Sequence, residues 1–308
     1  MRTLPIAVLV AALPYAWGLA VWLIAGFAAY LATIRAILPR QQTLLLAAAF
    51  PAVFVDIGHG QNGFLTASLL GCALYWLDRR PWLAGVLIGL LVYKPQFGVL
   101  IPLALVMGGK WRTITSACIT VAAMFAASLL TLGSGIWNAF AASTHWSETV
   151  LLEQGAVGWE KLQSIFAAAR MWGAGIHTAY AVQGALFLML AATLAWLWRS
   201  DAASELKAAA LATACLLATP YVLDYDLVVL AIAIAFFTCD GLKRGFHDYE
   251  ISVLAAAWLV PLLSRSVAGV AGIPLGLIVM LMLYVVTLRR ALLDREQITA
   301  GIHRIAQA

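Results

Sequence analysis

The chain has 308 residues, of which 64% are hydrophobic and 11% charged. Soluble domains are about 25% charged and no soluble fold hides so much apolar surface, so the composition reads as an integral membrane protein. The formal net charge of +5 does not point to nucleic acid, because Lys and Arg sit mostly in short turns between apolar runs, as topology signals do.

The N-terminus, Met1-Arg2-Thr3 followed by a long apolar stretch broken by Pro5 and Pro14, lacks the short apolar core and small-residue cleavage site of a signal peptide. Eleven apolar runs follow one another, some of them short: 5–34, 43–58, 63–77, 82–93, 97–109, 113–132, 176–198, 206–223, 225–239, 251–264 and 272–288. A bilayer crossing needs about 20 such residues. The expectation is one all-α, polytopic transmembrane bundle spanning 1–308.

If the first run enters from outside, the turns at Arg35/Arg40, Arg79/Arg80, Lys110/Arg112, Arg199/Lys207, Lys243/Arg244 and Arg289/Arg290 all fall on one side. With Arg295 and Arg304 that side holds 14 of the 19 basic residues and reads as cytoplasmic, with the charged 289–308 tail. Arg2, Lys94, Lys161, Arg170 and Arg265 remain on the other. Runs 82–93 and 97–109 are too short for straight spans and meet at Tyr93-Lys94-Pro95-Gln96, which predicts a broken hairpin with a cavity nearby, since irregular backbone at membrane depth needs protein or water around it. A single span kinked at Pro95 is the rival, and it would invert everything downstream.

The longest external segment, 133–175, contains a predicted amphipathic helix over 159–172. Trp159, Leu162, Ile165, Phe166, Ala169 and Trp172 share one arc, and Glu160, Lys161, Gln163, Ser164 and Arg170 the other. Such a helix suits the membrane interface, apolar face down; the plainer reading is a lid without chemistry. Gly85 and Gly89 form a G-x-x-x-G that reads as close helix packing. Cys72, Cys118, Cys215 and Cys239 are scattered and read as packing residues. Many of the 12 tryptophans read as interface anchors. No internal repeat is visible.

Three polar clusters fall on the external side, where ionisable groups inside spans cost about 2.5–3.5 kcal/mol each. In Asp56-Ile57-Gly58-His59-Gly60-Gln61-Asn62-Gly63, a carboxylate, an imidazole and two amides suit the hydroxyls of a sugar, or form a plain polar turn. Lys94 beside Gln96 offers a compact cation for a lipid phosphate, or snorkels to the surface. In Thr219-Pro220-Tyr221-Val222-Leu223-Asp224-Tyr225-Asp226, two carboxylates could hold a sugar, act as a base or bind a divalent cation, and one could cap the next helix. His145, Glu148, Glu153, Glu160, Lys161 and His177 add polar groups that read individually as structural.

In this order the clusters resemble the polyprenol-phosphate-mannose-dependent mannosyltransferases of glycosyltransferase family 87, of the GT-C class. The stretches that carry the likeness are GHGQNGFLTASLL (58–70), LDRRPWLAGVLIGLLVYKPQFGVLIPLAL (77–105), VGWEKLQSIFAAAR (157–170) and ATPYVLDYDLVVLA (218–231). The resemblance implies transfer of a hexose, mannose in that family, from a polyprenyl-phosphate carrier to a glycan or glycolipid acceptor on the extracytoplasmic face of the plasma membrane. It implies no covalently bound cofactor and leaves a divalent metal undecided. The implied substrate-binding set is His59, Gln61, Asn62, Lys94, Gln96, Lys161, Gln163 and Tyr225. The family's usual catalytic Asp lies in a loop after a first helix, and this sequence reads as starting at the second. A truncated or late-assigned start is therefore expected, with Asp56, Asp224 and Asp226 as the carboxylates that could substitute. A transporter or lipid flippase is the rival class, and an inactive accessory subunit of glycan assembly a third.

Overall fold

The structure is a computed structural model that describes residues 13–306, with side chains through residue 294. The start of the first apolar run, Arg2, and the side chains of Arg295 and Arg304 lie outside the described residues. Within them the chain is all-helical. The helices are α1 (Tyr15–Ile37), α2 (Gln41–Ala48), α3 (Pro51–His59), α4 (Gly63–Trp76), α5 (Pro81–Leu90), α6 (Ile101–Met107), α7 (Trp111–Leu132), α8 (Gly135–Trp146), α9 (Ile165–Met171), α10 (Ile176–Arg199), α11 (Ser204–Leu217), α12 (Leu230–Arg244), α13 (Glu250–Ala271) and α14 (Leu275–Ala306).

Length and hydropathy make six segments able to cross a membrane: α1, α7, α10, Asp224–Arg244, α13 and Leu275–Asp294. Counting α2 and α3 as one span bent by 49° gives seven. Eleven crossings are therefore not what the helix lengths show. α4 and the two halves of the broken pair are shorter apolar helices, and α11 runs about 21 Å at 1.5 Å per residue, short of a hydrocarbon core of about 30 Å. Beyond its first turn α11 is apolar on every side and buried, as a helix without a polar face must be. With α12 it forms the centre of the bundle. α1 and α7 instead expose Trp17, Ile24, Ile119, Phe125 and Leu130, outward faces suited to lipid.

Ion pairs fix how the chain runs between the two ends of the bundle. Lys110 Nζ lies 2.6 Å from Asp78 Oδ1, so the stretch between them leaves one end and returns to it. This is the hairpin, not a kinked single pass. Lys243 Nζ meets Glu205 Oε1 at 2.5 Å at the same end. Arg290, fully buried, there donates from Nε to Asp240 Oδ2 at 2.6 Å, from Nη1 to Glu250 Oε2 at 2.7 Å and from Nη2 to the Gly245 carbonyl at 2.9 Å. The basic turns that read as topology signals thus include a buried network binding α12, α13 and α14. α14 continues into the expected tail as far as Ala306.

Gly85 and Gly89 do seat α5 against α7. A Cβ at Gly85 would strike Ser116 and the Thr113 carbonyl, and one at Gly89 would lie 2.5 Å from Thr120 Cβ. This close approach anchors the outer half of the hairpin.

The single amphipathic helix expected over 159–172 is absent. A 3₁₀ turn at Trp159–Lys161 gives way to extended backbone at Leu162, which bridges to Leu223, and the Gln163 N–H donates to the Val222 carbonyl at 2.9 Å. The helix α9 starts only after Ser164, whose Oγ accepts from the Ala167 N–H at 3.1 Å. Its buried side mixes Phe166, Ala167 and Ala168 with the preceding Gln163 and Ser164, and packs on protein. Periodicity could not foresee this: main-chain pairing to a turn some sixty residues on, plus a serine cap, competes with the helix.

Candidate functional site

The three polar clusters meet. α3 ends in a left-handed Gly60 (φ 63°), which turns the chain into α4. Asp56, fully buried on α3, accepts from the Gly63 N–H at 3.0 Å and the Phe64 N–H at 3.3 Å. Those are free donors at the start of α4, so Asp56 caps that helix from seven residues upstream. Gly63 is required here, since a Cβ would lie 2.6 Å from Asp56 Oδ1 and 2.9 Å from the Tyr225 carbonyl. The first and third clusters are thereby in backbone contact.

The second joins them through Lys94. Its backbone interrupts two 3₁₀ turns, Leu91–Tyr93 and Pro95–Gly98. The side chain is only 8% exposed, and its ammonium lies 2.5 Å from Asp226 Oδ1. It also sits 5.0 Å from the Tyr225 ring centroid and 5.4 Å from that of Phe97. Lys94 does not snorkel. The other Asp226 oxygen accepts from the Leu223 N–H at 3.0 Å, which closes the 3₁₀ turn Asp224–Val229 ahead of α12. Asp224, also buried, accepts from the Tyr225 N–H at 2.9 Å and faces Arg265 of α13, Oδ2 to Nη1, at 3.8 Å. The two carboxylates thus address different cations rather than converging on one point.

Around this core, exposed His59 pairs Nδ1 with the Val55 carbonyl at 2.8 Å, and its ring centroid is 6.0 Å from that of Tyr225. Because a carbonyl only accepts, Nδ1 carries the proton. Gln61 is half-buried and its carbonyl accepts from Trp22 Nε1 at 3.2 Å. Asn62 keeps Oδ1 buried and without a partner, while its carbonyl accepts from Thr66 Oγ1 at 3.0 Å. Tyr93 Oη lies 2.6 Å from Thr66 Oγ1 and ties the broken pair to α4. Gln96 is half-buried. Gln163 is buried, with Nε2 on the Glu160 carbonyl at 3.2 Å and Oε1 pressed against Gly276, and Lys161 sits on the turn beside it.

At the break in the hairpin, the broken pair and α7 line an open apolar pocket of about 680 Å³ whose wall includes Pro95, Gly98, Val99, Ala122 and Phe125. A glycosyltransferase family 87 model matches residues 2–220. The chain belongs to glycosyltransferase family 87. Membership implies a membrane glycosyltransferase, not the transporter or flippase that the sequence also allowed. No curated protein and no solved structure matches the chain. The family 87 match covers Asp56, His59, Lys94 and Gln163 and stops just before Asp224, Tyr225 and Asp226, which the fold returns to the same cluster together with the more distant Arg265. Sequence reasoning passed over Arg265. Its one signal was an ionisable residue at the edge of an apolar run.

Proposed function

We propose that this family 87 member transfers a hexose, by resemblance mannose, from a polyprenyl-phosphate carrier to a glycan or glycolipid acceptor. The reaction takes place at the extracytoplasmic face of the plasma membrane, with the C-terminus cytoplasmic. One observation carries this reading: the break in the hairpin serves both parts, since Lys94 joins the polar cluster built from all three motifs while Val92 and Pro95, on either side of it, line an apolar pocket of about 680 Å³. A lipid-linked sugar has the same two-part character. Its polyprenyl chain lies in the pocket along the broken pair, and its sugar faces the polar cluster. The orientation rests on the basic turns, which gather at the end marked by the Asp78–Lys110 and Glu205–Lys243 pairs.

In the transfer, an acceptor hydroxyl attacks the anomeric carbon, the bond to the phosphate oxygen breaks, and polyprenyl phosphate leaves. The hydroxyl proton must pass to a base. Asp56 is held by two backbone N–H groups and Asp226 by Lys94, so both frame the sugar's surroundings. Asp224, whose charge partner stands at 3.8 Å, is the carboxylate we assign to the proton. His59, Gln61, Asn62 and Tyr225 line the approach to the sugar hydroxyls. The test is incubation of membranes containing the chain with radiolabelled polyprenyl-phosphate mannose. Label should enter lipid or glycan, and incorporation no greater than in membranes lacking the chain would overturn the reading.

A further inference from the structure

We infer that Arg265, not Lys94, receives the phosphate of the lipid-linked donor. The inference rests on the carrier reading above. Sequence order makes Lys94 the obvious phosphate ligand, yet the fold has committed it: the side chain is 8% exposed and its ammonium already 2.5 Å from Asp226. Drawing it to a phosphate would leave Asp226 buried without a counter-charge, which is costly in a low-dielectric interior. Arg265 is in the opposite condition. Its side chain is 48% exposed, and its distance of 3.8 Å from Asp224 lies beyond hydrogen-bond reach. A carboxylate at that distance orients the guanidinium without occupying its N–H groups, which remain free to fork onto two phosphate oxygens.

Position agrees with this role. α13 packs against both the Asp224–Val229 turn and the Trp159–Lys161 turn, so Arg265 stands where the third motif meets the external segment, with Lys161 on the adjoining turn. Two of the cluster's three carboxylates are met elsewhere, Asp56 by the start of α4 and Asp226 by Lys94 and the Leu223 N–H, and only Asp224 faces Arg265.

The experiment compares binding of polyprenyl phosphate and of the uncharged polyprenol to the purified full chain in nanodiscs. The variants are Arg265→Gln, Arg265→Lys and the double Arg265→Gln/Asp224→Asn. Wild type should prefer the phosphate. Arg265→Gln should weaken phosphate binding by about 10- to 100-fold, the range expected for a lost charge-assisted contact, and leave polyprenol binding unchanged. Arg265→Lys should recover part of the loss, and the double variant none. A phosphate preference that survives Arg265→Gln overturns the inference and leaves the carrier reading standing. Recovery in the double variant also overturns it, because Arg265 would then serve only to neutralise Asp224. Wild type that binds both lipids equally overturns it too, whereas wild type that binds neither overturns the carrier reading and the inference together.

Discussion

Lys94 and Asp226, 132 residues apart in the chain, form a 2.5 Å ion pair with both side chains inside the protein. The pair joins the break in the hairpin to the turn that starts α12, so it holds the polar cluster together. Removing one member of a buried pair leaves an uncompensated charge and costs about 3–5 kcal/mol. Lys94→Ala should therefore lower the thermal midpoint in detergent, and Lys94→Met/Asp226→Leu should regain most of it while sugar transfer stays low. An Lys94→Ala protein that melts with wild type would show the pair to be unimportant for folding.

Asp56 is expected to act first as a cap. Asp56→Ala strands two buried N–H groups at the start of α4, at about 1–3 kcal/mol each for unsatisfied donors, and Asp56→Asn, which keeps an acceptor, should cost less. Gly63→Ala forces a Cβ against both Asp56 Oδ1 and the Tyr225 carbonyl, and should be destabilised by about 1–3 kcal/mol as overpacking. Thermal unfolding orders the three: wild type above Asp56→Asn, with Asp56→Ala and Gly63→Ala lowest. Equal midpoints for Asn and Ala at position 56 would argue against the cap.

The class of fold was legible because lipid solvent leaves its mark on composition, and the hairpin because two apolar runs were too short to cross alone. The convergence of Asp56, Lys94 and Asp226 was only half legible. Cost in lipid singled out each residue, but nothing local said that Lys94 would spend its charge on Asp226 and not on a ligand. Arg290 was half legible for the same reason: its place at the end of an apolar run marks one side of the bundle, but does not distinguish a residue that meets water from one that, as here, meets two buried carboxylates. The 159–172 segment failed differently, since its apolar arc was real and the decisive contact, Leu162 with Leu223, is long-range.

Arg290 should prove one of the most sensitive positions outside the site. Arg290→Ala leaves Glu250 without a counter-charge in the interior and Asp240 with Arg244 alone, a loss of about 3–5 kcal/mol, and Arg290→Lys keeps the charge but not three separately aimed N–H donors. By contrast Lys110→Ala breaks a pair whose members are 32% and 55% exposed, worth about 0–1 kcal/mol. Thermal midpoints should rank wild type and Lys110→Ala together, then Arg290→Lys, then Arg290→Ala. A Lys110→Ala loss equal to that of Arg290→Ala would contradict the burial argument.

The apolar pocket makes the final prediction, because it separates substrate binding from folding. Ala122 lines the pocket on the exposed side of α7, where added volume enters open space and not a packed core. Ala122→Trp should leave the thermal midpoint near wild type while displacing part of the polyprenyl chain. With each buried methylene contributing about 0.8 kcal/mol, exclusion of two or three should weaken carrier binding by about 10- to 50-fold. A larger residue on another face of α7, as in Ala127→Trp, serves as the control, since Ala127 is exposed, lies about 140° round the helix from Ala122 and does not line the pocket. Equal carrier affinity in both variants would mean that the lipid tail lies outside this pocket, and the donor would then have to reach the Lys94–Asp226 cluster by another face of the bundle.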